Sequence, residues 1–466
     1  MKMRKFFAVA FPVLVVLALA GCLSTGGQTT GFSQLVRTGT PQDIQAAIDN
    51  GAEVNAQNKD GWTALMSAAG SNQNPEVIMT LLKAGAEVKA EDKDGWTALM
   101  SAARNNKNPE VITALLKAGA DIRARDKQGW TALMSAARYN KNPEVITALL
   151  KGDAGIEDQD KNGWTVLMLA AFYNENPEVI GTLLKGGANI RAQNNSGGTV
   201  LMAAAQNNKN PEVIAILLEA GADIRAREND GWTVLMLAAW SNQNPAVITA
   251  LLKAGADINA QNKHGDSVLM AAARNNQNTE VITTLLKAGA DIKDHDIEGW
   301  TSLLTAADHN TNPAVIGTLL KAGADIKDRN NNGDTVLMAA ARNNLNPEVI
   351  TALLKAGADI KDRDRQGGTA LMLAARSNRN PEVITTLLKA GADIKDHDEE
   401  GWTPLMSAAR YNENPEVTMA LLKAGGDAKA KNNEGKTAFD YAQSNEKLKD
   451  TDALRKLEEA ARQIVM

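Results

Sequence analysis

Residues 95–128 read GWTALMSAARNNKNPEVITALLKAGADIRARDKQ, and most of the chain repeats this unit with small changes. The Gly at its head recurs at 61, 95, 129, 163, 197, 231, 265, 299, 333, 367, 401 and 435, at one unvarying interval. A fixed period of this size means a linear array in which each unit buries its apolar face against its neighbours. The fold is therefore decided by the unit and not by the total length.

Each part of the unit has a physical reading. Thr97 is predicted to cap a first helix, whose Leu99, Ala102 and Ala103 make a narrow apolar face suited to close packing. Asn106 falls where that helix must stop, and Asn tolerates the left-handed backbone that such a stop would use. Asn108 is placed to cap a second helix with Pro109 in its first turn, where a missing N–H costs nothing. Val111, Ile112, Leu115 and Leu116 form the buried stripe of that helix, and Gly119 ends it. Asp126-Lys127-Gln128-Gly129 is a turn into the next unit. The Asn-x-Asn pair stands in all eleven full units, from Asn72 and Asn74 to Asn412 and Asn414. Pro follows it in ten of them, Thr279 being the exception, so capping is the reading for these Asn and not a ligand site.

The pattern G-x-T-x-L-x-x-A-A followed by E-V-I-x-x-L-L-K-x-G-A-D-I resembles the ankyrin repeat over about residues 32–466. The tetratricopeptide repeat, which shares the period of the array, has a Trp/Leu-Gly/Tyr signature that is missing here. Two departures stand out. The usual ankyrin unit is one residue shorter, and the extra residue falls within Asn-x-Asn-Pro. The family's T-P-L-H becomes T-A-L-M or T-V-L-M, Pro surviving only at Pro404. Met66, Met100, Met134, Met168, Met202, Met236, Met270, Met338, Met372 and Met406 occupy the His place, with Leu304 in the remaining unit. That column reads as flexible core filler and not as a metal or cofactor box. The resemblance implies an all-α ankyrin-repeat solenoid, a helix-turn-helix plus a hairpin-like loop in each 34-residue unit. Its domains would be an N-terminal capping repeat at 32–60, eleven repeats over 61–434 and a C-terminal capping repeat at 435–466. Thirteen units about 10 Å apart would form a curved rod on the order of 120 Å long.

Composition agrees with an array. The chain is 44% hydrophobic but only 4% aromatic, too few large rings for the core of one large globule. One Cys excludes an internal disulfide framework. The formal charge is −5; Lys2, Arg4 and Lys5 stand in the segment 1–21, leaving −8 for the rest. An acidic chain of this kind repels phosphate backbones, so no nucleic-acid partner is expected.

Residues 1–22, MKMRKFFAVAFPVLVVLALAGC, carry three cations, an apolar run from Phe6 to Ala20 and then small residues, the layout of a secretory signal. The run is shorter than the roughly 20 residues that span a bilayer. Leu19-Ala20-Gly21-Cys22 resembles the lipobox of bacterial lipoproteins. That resemblance implies a signal peptide at 1–21, cleavage before Cys22, and lipid on the Cys22 thiol and new amine. At about 0.8 kcal/mol per buried methylene, several acyl chains would hold the protein on the membrane. In enterobacterial members Asp after the Cys favours the inner membrane, so Leu23 points to the outer membrane, periplasmic or surface face. Residues 22–31 are expected to be a lipidated flexible tether.

The array ends read as caps. Residues 32–60 keep Pro41 and Gly51 in phase but lack the T-x-L opening. Residues 435–466 open as GKTAFDYA and end in a charged helix whose Leu454, Leu457, Ala461 and Ile464 are predicted to face inward. One interior unit is weak: 151–155 reads KGDAG where others read KAGAD, putting Asp153 in a glycine place at a cost of up to roughly 1 kcal/mol. Opening of the array is expected to begin near 150–160.

Ankyrin proteins bind other proteins on a concave wall of turn tips and first helices. The position after the turn Gly would lie there, and it holds Trp62, Trp96, Trp130, Trp164, Trp232, Trp300 and Trp402. Gly198, Asp266, Asp334 and Gly368 interrupt this row. The residue after Ala-Ala is often Arg, as at Arg104, Arg138, Arg274, Arg342, Arg376 and Arg410, with Phe172 and Trp240 in the same column and Tyr139, Tyr173 and Tyr411 beside it. Aromatic and Arg enrichment is the composition of binding hot spots. The row also suits a structural seam between turns, and the interruptions favour a contact role. Four Trp in succession place the contact patch within 61–196.

Asp294-His295-Asp296 and Asp396-His397-Asp398 have metal-ligand chemistry, but Asp296 and Asp398 start turns, and no metal is expected. No phosphate loop or nucleophile elbow occurs, and no enzyme activity or cofactor is expected. The expected function is a monomeric, membrane-anchored, non-catalytic protein-interaction scaffold of the bacterial cell envelope. Glycan or peptidoglycan binding through the Trp row and a purely architectural spacer are the alternatives.

Overall fold

The computed structural model describes residues 27–462. The expected signal peptide at 1–21, the expected lipid site Cys22 and Ile464 lie outside the described residues. Two compact bodies make up the chain. The first holds residues up to Ala204 together with Asn210–Asp223, and the second holds Ala205–Lys209 with residues from Ile224 onward.

Among the described residues there are 26 helices in successive pairs and no strand. The unit at 95–128 shows why. Thr97 is extended (φ −108°, ψ 167°) and its Oγ1 accepts from the Met100 N–H at 3.3 Å, which starts the helix Ala98–Asn105. Asn108 Oδ1 accepts from the Glu110 N–H at 3.0 Å, and Pro109 opens the helix Pro109–Lys117. Gly119 (φ +88°) turns the chain out of that helix. At Gly95 (φ +82°) a Cβ would also stand 3.2 Å from the Asp126 Cα, so both conformation and space call for glycine.

The core is made of Leu, Val, Ile, Ala and the Met column, with Leu99, Met100, Val111, Ile112 and Leu115 all at 0% exposure. Leu304 is equally buried in the unit without Met. Within each body, first helices pack on first helices and second helices on second helices of the next repeat. Two Met do more than fill space: Met202 and Met338 Sδ accept from the Thr199 and Thr335 N–H at 3.4 Å.

The stop of the first helix differs from expectation. Asn106 is extended (φ −81°, ψ 132°), not left-handed. The reason is its side chain, which is fully buried and bonded to the preceding repeat. Asn106 Nδ2 donates to the Ala69 and Asn72 carbonyls, both at 2.8 Å, while Oδ1 accepts from the Asn108 N–H at 2.9 Å. Asn108 Nδ2 in turn donates to the Gln73 carbonyl at 2.9 Å. The same double donation recurs at Asn140 and Asn174 in the first body and at Asn242, Asn276, Asn310, Asn344, Asn378 and Asn412 in the second. Each such bond contributes about 1 kcal/mol net, while orphaning a buried polar group costs about 1–3 kcal/mol.

The turns form a second ladder. Asp126 Oδ1 accepts from the Gln128 and Trp130 N–H groups, and the Lys127 N–H donates to the Asp94 carbonyl of the previous turn at 2.8 Å. Arg125 donates through Nη1 to the Gly129 and Gln159 carbonyls and through Nη2 to Asp158 at 2.5 Å. Arg329 and Arg363 repeat this bracket in the second body.

Both ends need adjustment. The first helix is Gly27–Thr38, so residues 27–31 of the expected tether are helical. Burial of Phe32 and Val36 nucleates that helix, and extending a nucleated helix backward costs little. In the terminal helix Asp452–Arg462 the buried residues are Ala453 and Leu457, while Leu454 and Ala461 are half-buried. Asp153 has φ +69°, one of two non-glycine residues with positive φ among the described residues, the other being Asp450.

Candidate functional site

Two positions of the repeat shape the face of turn tips and first helices. One follows the turn Gly. The other lies eight residues later, in the last turn of the first helix, and the cap at Thr97 and its counterparts folds the first back beside the second. The seven Trp of the row are all half-buried.

In the first body these positions join into one cluster. The Arg104 guanidinium lies 5.8 Å from the Trp96 ring centroid and 4.2 Å from that of Tyr139. Arg138 stands among three rings, 5.1 Å from Trp130, 4.8 Å from Tyr139 and 3.6 Å from Tyr173. Phe172 meets Tyr173 at 4.5 Å and Trp164 edge-to-face at 5.4 Å. Cation–π contacts of this kind contribute about 0.5–2 kcal/mol each, more as water is excluded. Tyr139 and Tyr173 remain exposed at 39% and 40%.

A groove of about 600 Å³ opens in this cluster, lined by Trp130, Arg138, Trp164, Tyr173, Lys127 and Lys161 among others. Arg138 Nε is buried and has no hydrogen-bond partner. Asp160 also lines the groove, and its Oδ1 accepts from the Asn162 and Trp164 N–H groups at 2.8 and 2.9 Å.

In the second body Trp232 and Trp240 pair edge-to-face at 5.4 Å. Trp402 stacks on Tyr411 at 5.8 Å and on Tyr441 at 4.3 Å, with Arg376 4.6 Å from the Tyr411 ring. Trp62 and Trp300 make no ring pair among the described residues.

Sequence reasoning named the two columns but missed that they touch in register, and it missed Lys127, Lys161 and Tyr441. The interruptions of the Trp row were a usable signal. At Asp334 the place of Trp is taken by a carboxylate at 1% exposure, and Arg342, eight residues on, holds both its oxygens through Nη2 at 2.8 Å. Asp334 also accepts from Asn330 Nδ2 at 3.0 Å, and Asp266 accepts in the same register from Asn262 Nδ2 at 2.8 Å. Behind Trp300 the second column carries Asp308, buried, bonded to Asn343 Nδ2 at 2.8 Å and 3.0 Å from His309 Nδ1. Burial pushes the Asp308 carboxyl above the ordinary aspartate value, only partly countered by His309, Asn343, Arg342 and Arg274.

The two Asp-His-Asp triplets are engaged in turns. Asp296 Oδ1 accepts from the Glu298 and Trp300 N–H groups, and Asp398 Oδ1 from those of Glu400 and Trp402. Asp396 pairs with Arg363. Among the described residues no group of three or more His, Cys, Asp or Glu side chains is placed to hold a metal ion. No helix among them is long and apolar enough to cross a membrane.

A family model for ankyrin repeats (3 copies) matches residues 32–126, 105–194, 167–262, 242–330, 310–398 and 371–461. No curated protein matches the chain at a significant level.

Proposed function

The chain belongs to the ankyrin-repeat family, and on that footing we propose that it is a non-catalytic scaffold that captures other proteins on its turn-tip face. The observation that carries this reading is the cluster from Trp96 to Tyr173, where Arg and aromatic side chains stand together half-exposed. Truncating residues of this composition at an interface centre typically costs about 2 kcal/mol or more of binding. A photo-crosslinking side chain at Tyr139 or Tyr173 is expected to capture a protein in cells, and one at Lys117 or Lys151 on the second helices is not. Capture from neither pair, or equally from both, would reject the reading.

The finer part of the proposal is an anchor. The layout of residues 1–22 supports a signal removed before Cys22 and a lipid on that Cys, holding a monomer to the bacterial envelope, in the outer membrane. Labelling with an alkynyl fatty acid is expected to mark the wild type and not Cys22→Ser, and the variant should leave the membrane fraction. Surface proteolysis then separates a periplasmic from an external face. Glycan binding is less well supported, because Trp164 and Trp232 are already packed edge-to-face against Phe172 and Trp240 and so offer less ring face to a sugar.

A further inference from the structure

The repeat itself shows what an Arg in the second column takes. At Arg342 the partner is a carboxylate from within the chain, Asp334, seated where other repeats have Trp. At Arg138 that place holds Trp130, and among the described residues no carboxylate lies within ion-pair distance of the guanidinium. The rings of Trp130, Tyr139 and Tyr173 hold its faces but cannot accept in-plane N–H bonds as a carboxylate does.

The groove around Arg138 is positive in a chain that is negative overall. Lys127, Arg138 and Lys161 line it against a single carboxylate, Asp160, whose Oδ1 is turned to backbone N–H groups. Lys127 Nζ has Asp94 at 3.8 Å in a pair open to solvent, which water screens. Arg104 adds a further cation beyond Tyr139, and no ion pair engages it among the described residues. Leu169 and the indoles of Trp130 and Trp164 supply an apolar floor between these charges.

We propose that this groove is a subsite for an acidic peptide segment of a partner protein, with an Asp or Glu carboxylate seated on Arg138 and neighbouring carboxylates on Lys127 and Lys161. The proposal rests on the protein-scaffold reading and names the chemistry of what that face recognises. The planar guanidinium held by rings favours a carboxylate fork, and the aliphatic stems of acidic side chains suit the indole floor. Binding of this kind is steered by charge and weakens with salt.

The probe is a fluorescein-labelled peptide of twelve glutamates, titrated against the full chain by anisotropy at low and physiological salt. Saturable binding is expected, weakened about tenfold by Arg138→Gln and less by Arg138→Lys, with Lys117→Gln on a second helix unchanged. Thermal melts accompany each variant. If Arg138→Gln melts well below the wild type, Lys161→Gln, an exposed substitution, serves in its place and is expected to weaken binding about threefold. No saturable binding, binding indifferent to Arg138 and Lys161, or tighter binding of an oligogalacturonate than of the peptide would each overturn the proposal. A protein captured from Tyr139 that is neither displaced by the peptide nor lost in Arg138→Gln would overturn it while sparing the scaffold reading. Peptide binding through Arg138 with no protein captured in cells would keep the subsite and reject the scaffold.

Discussion

Arg342 and Asp334, eight residues apart, form an ion pair in which one guanidinium nitrogen, Nη2, reaches both carboxylate oxygens, the Asp334 side chain being buried and that of Arg342 27% exposed. The register is the one in which Arg138 meets Trp130, Phe172 meets Trp164 and Trp240 meets Trp232. The two columns therefore act as one pair, filled by a ring and a cation, by two rings, or by two opposite charges. An interruption of the Trp row at 334 is a change of partner and not a vacancy.

Arg342→Ala should destabilise the second body by about 3 kcal/mol, because it leaves a buried charge unpaired, with Asn330 Nδ2 as its remaining side-chain donor. Asp334→Trp, which rebuilds the ring-and-cation pair, should stay within about 1 kcal/mol of the wild type. Urea unfolding of both variants checks this, and equal costs would show that the pair is not the source.

Asn140→Ala removes the donor to the Ala103 and Asn106 carbonyls and the acceptor for the Asn142 N–H. A loss of about 2–4 kcal/mol is expected, larger than for any exposed Asn of the turns. Asn140→Asp should be no better, since an acceptor would then face two carbonyls. Denaturant midpoints would tell the two cases apart, and a mild effect of the Asp variant would mean that the side chain is not a donor here.

Much of this was legible in the residues. The period, the caps at Thr97 and Asn108, the glycine turns and the Met core all follow from local chemistry, which a single unit displays. The roles that were hidden are those that reach across the period. Asn106 looks like a stop because its bonds to Ala69 and Asn72 lie 37 and 34 residues away. Trp130 and Arg138 looked like two separate columns because the extended Thr131 that folds one onto the other acts only in three dimensions. Helix at 27–31 was masked by a Gly- and Thr-rich composition that reads as tether until Phe32 and Val36 are seen to be buried.

Asp153→Gly should raise local stability by about 1 kcal/mol, since Asp153 holds a left-handed backbone and its pair with Arg123 is exposed on both sides. Hydrogen exchange in 150–160 should slow in the variant, whereas Gly187→Asp should speed exchange around its own turn. Unaltered exchange at both places would remove backbone strain from the account.

Asp308 gives the second body a pH dependence of defined sign. Its carboxyl holds a proton more tightly in the folded chain, so its contribution falls as pH rises from the ordinary aspartate value through the raised folded value, and is flat above. Asp308→Asn keeps an acceptor for Asn343 and should match the wild type at low pH and exceed it at neutral pH. A difference between the two melting curves that does not change with pH would contradict this.

Thr369 has the extended cap conformation but makes no cap hydrogen bond, and its Oγ1 is buried without a partner. Thr131→Ala should cost about 1 kcal/mol, and Thr369→Ala clearly less. Nothing in the local geometry explains why the cap at 369 is unmade. Paired melts of the two variants measure the difference.

The Asn ladder has a direction. Asn106, Asn140 and Asn174 donate to carbonyls that precede them in the chain, and Asn445 does the same to Ala409 and Asn412. A polypeptide made at about 5–20 residues per second completes one repeat every few seconds. For this ladder each repeat finds its acceptors already synthesised, whereas the brackets of Arg125, Arg329 and Arg363 wait for the repeat that follows. The buried Asn bonds can thus close in the order in which the repeats are made, each new unit locking onto one already complete.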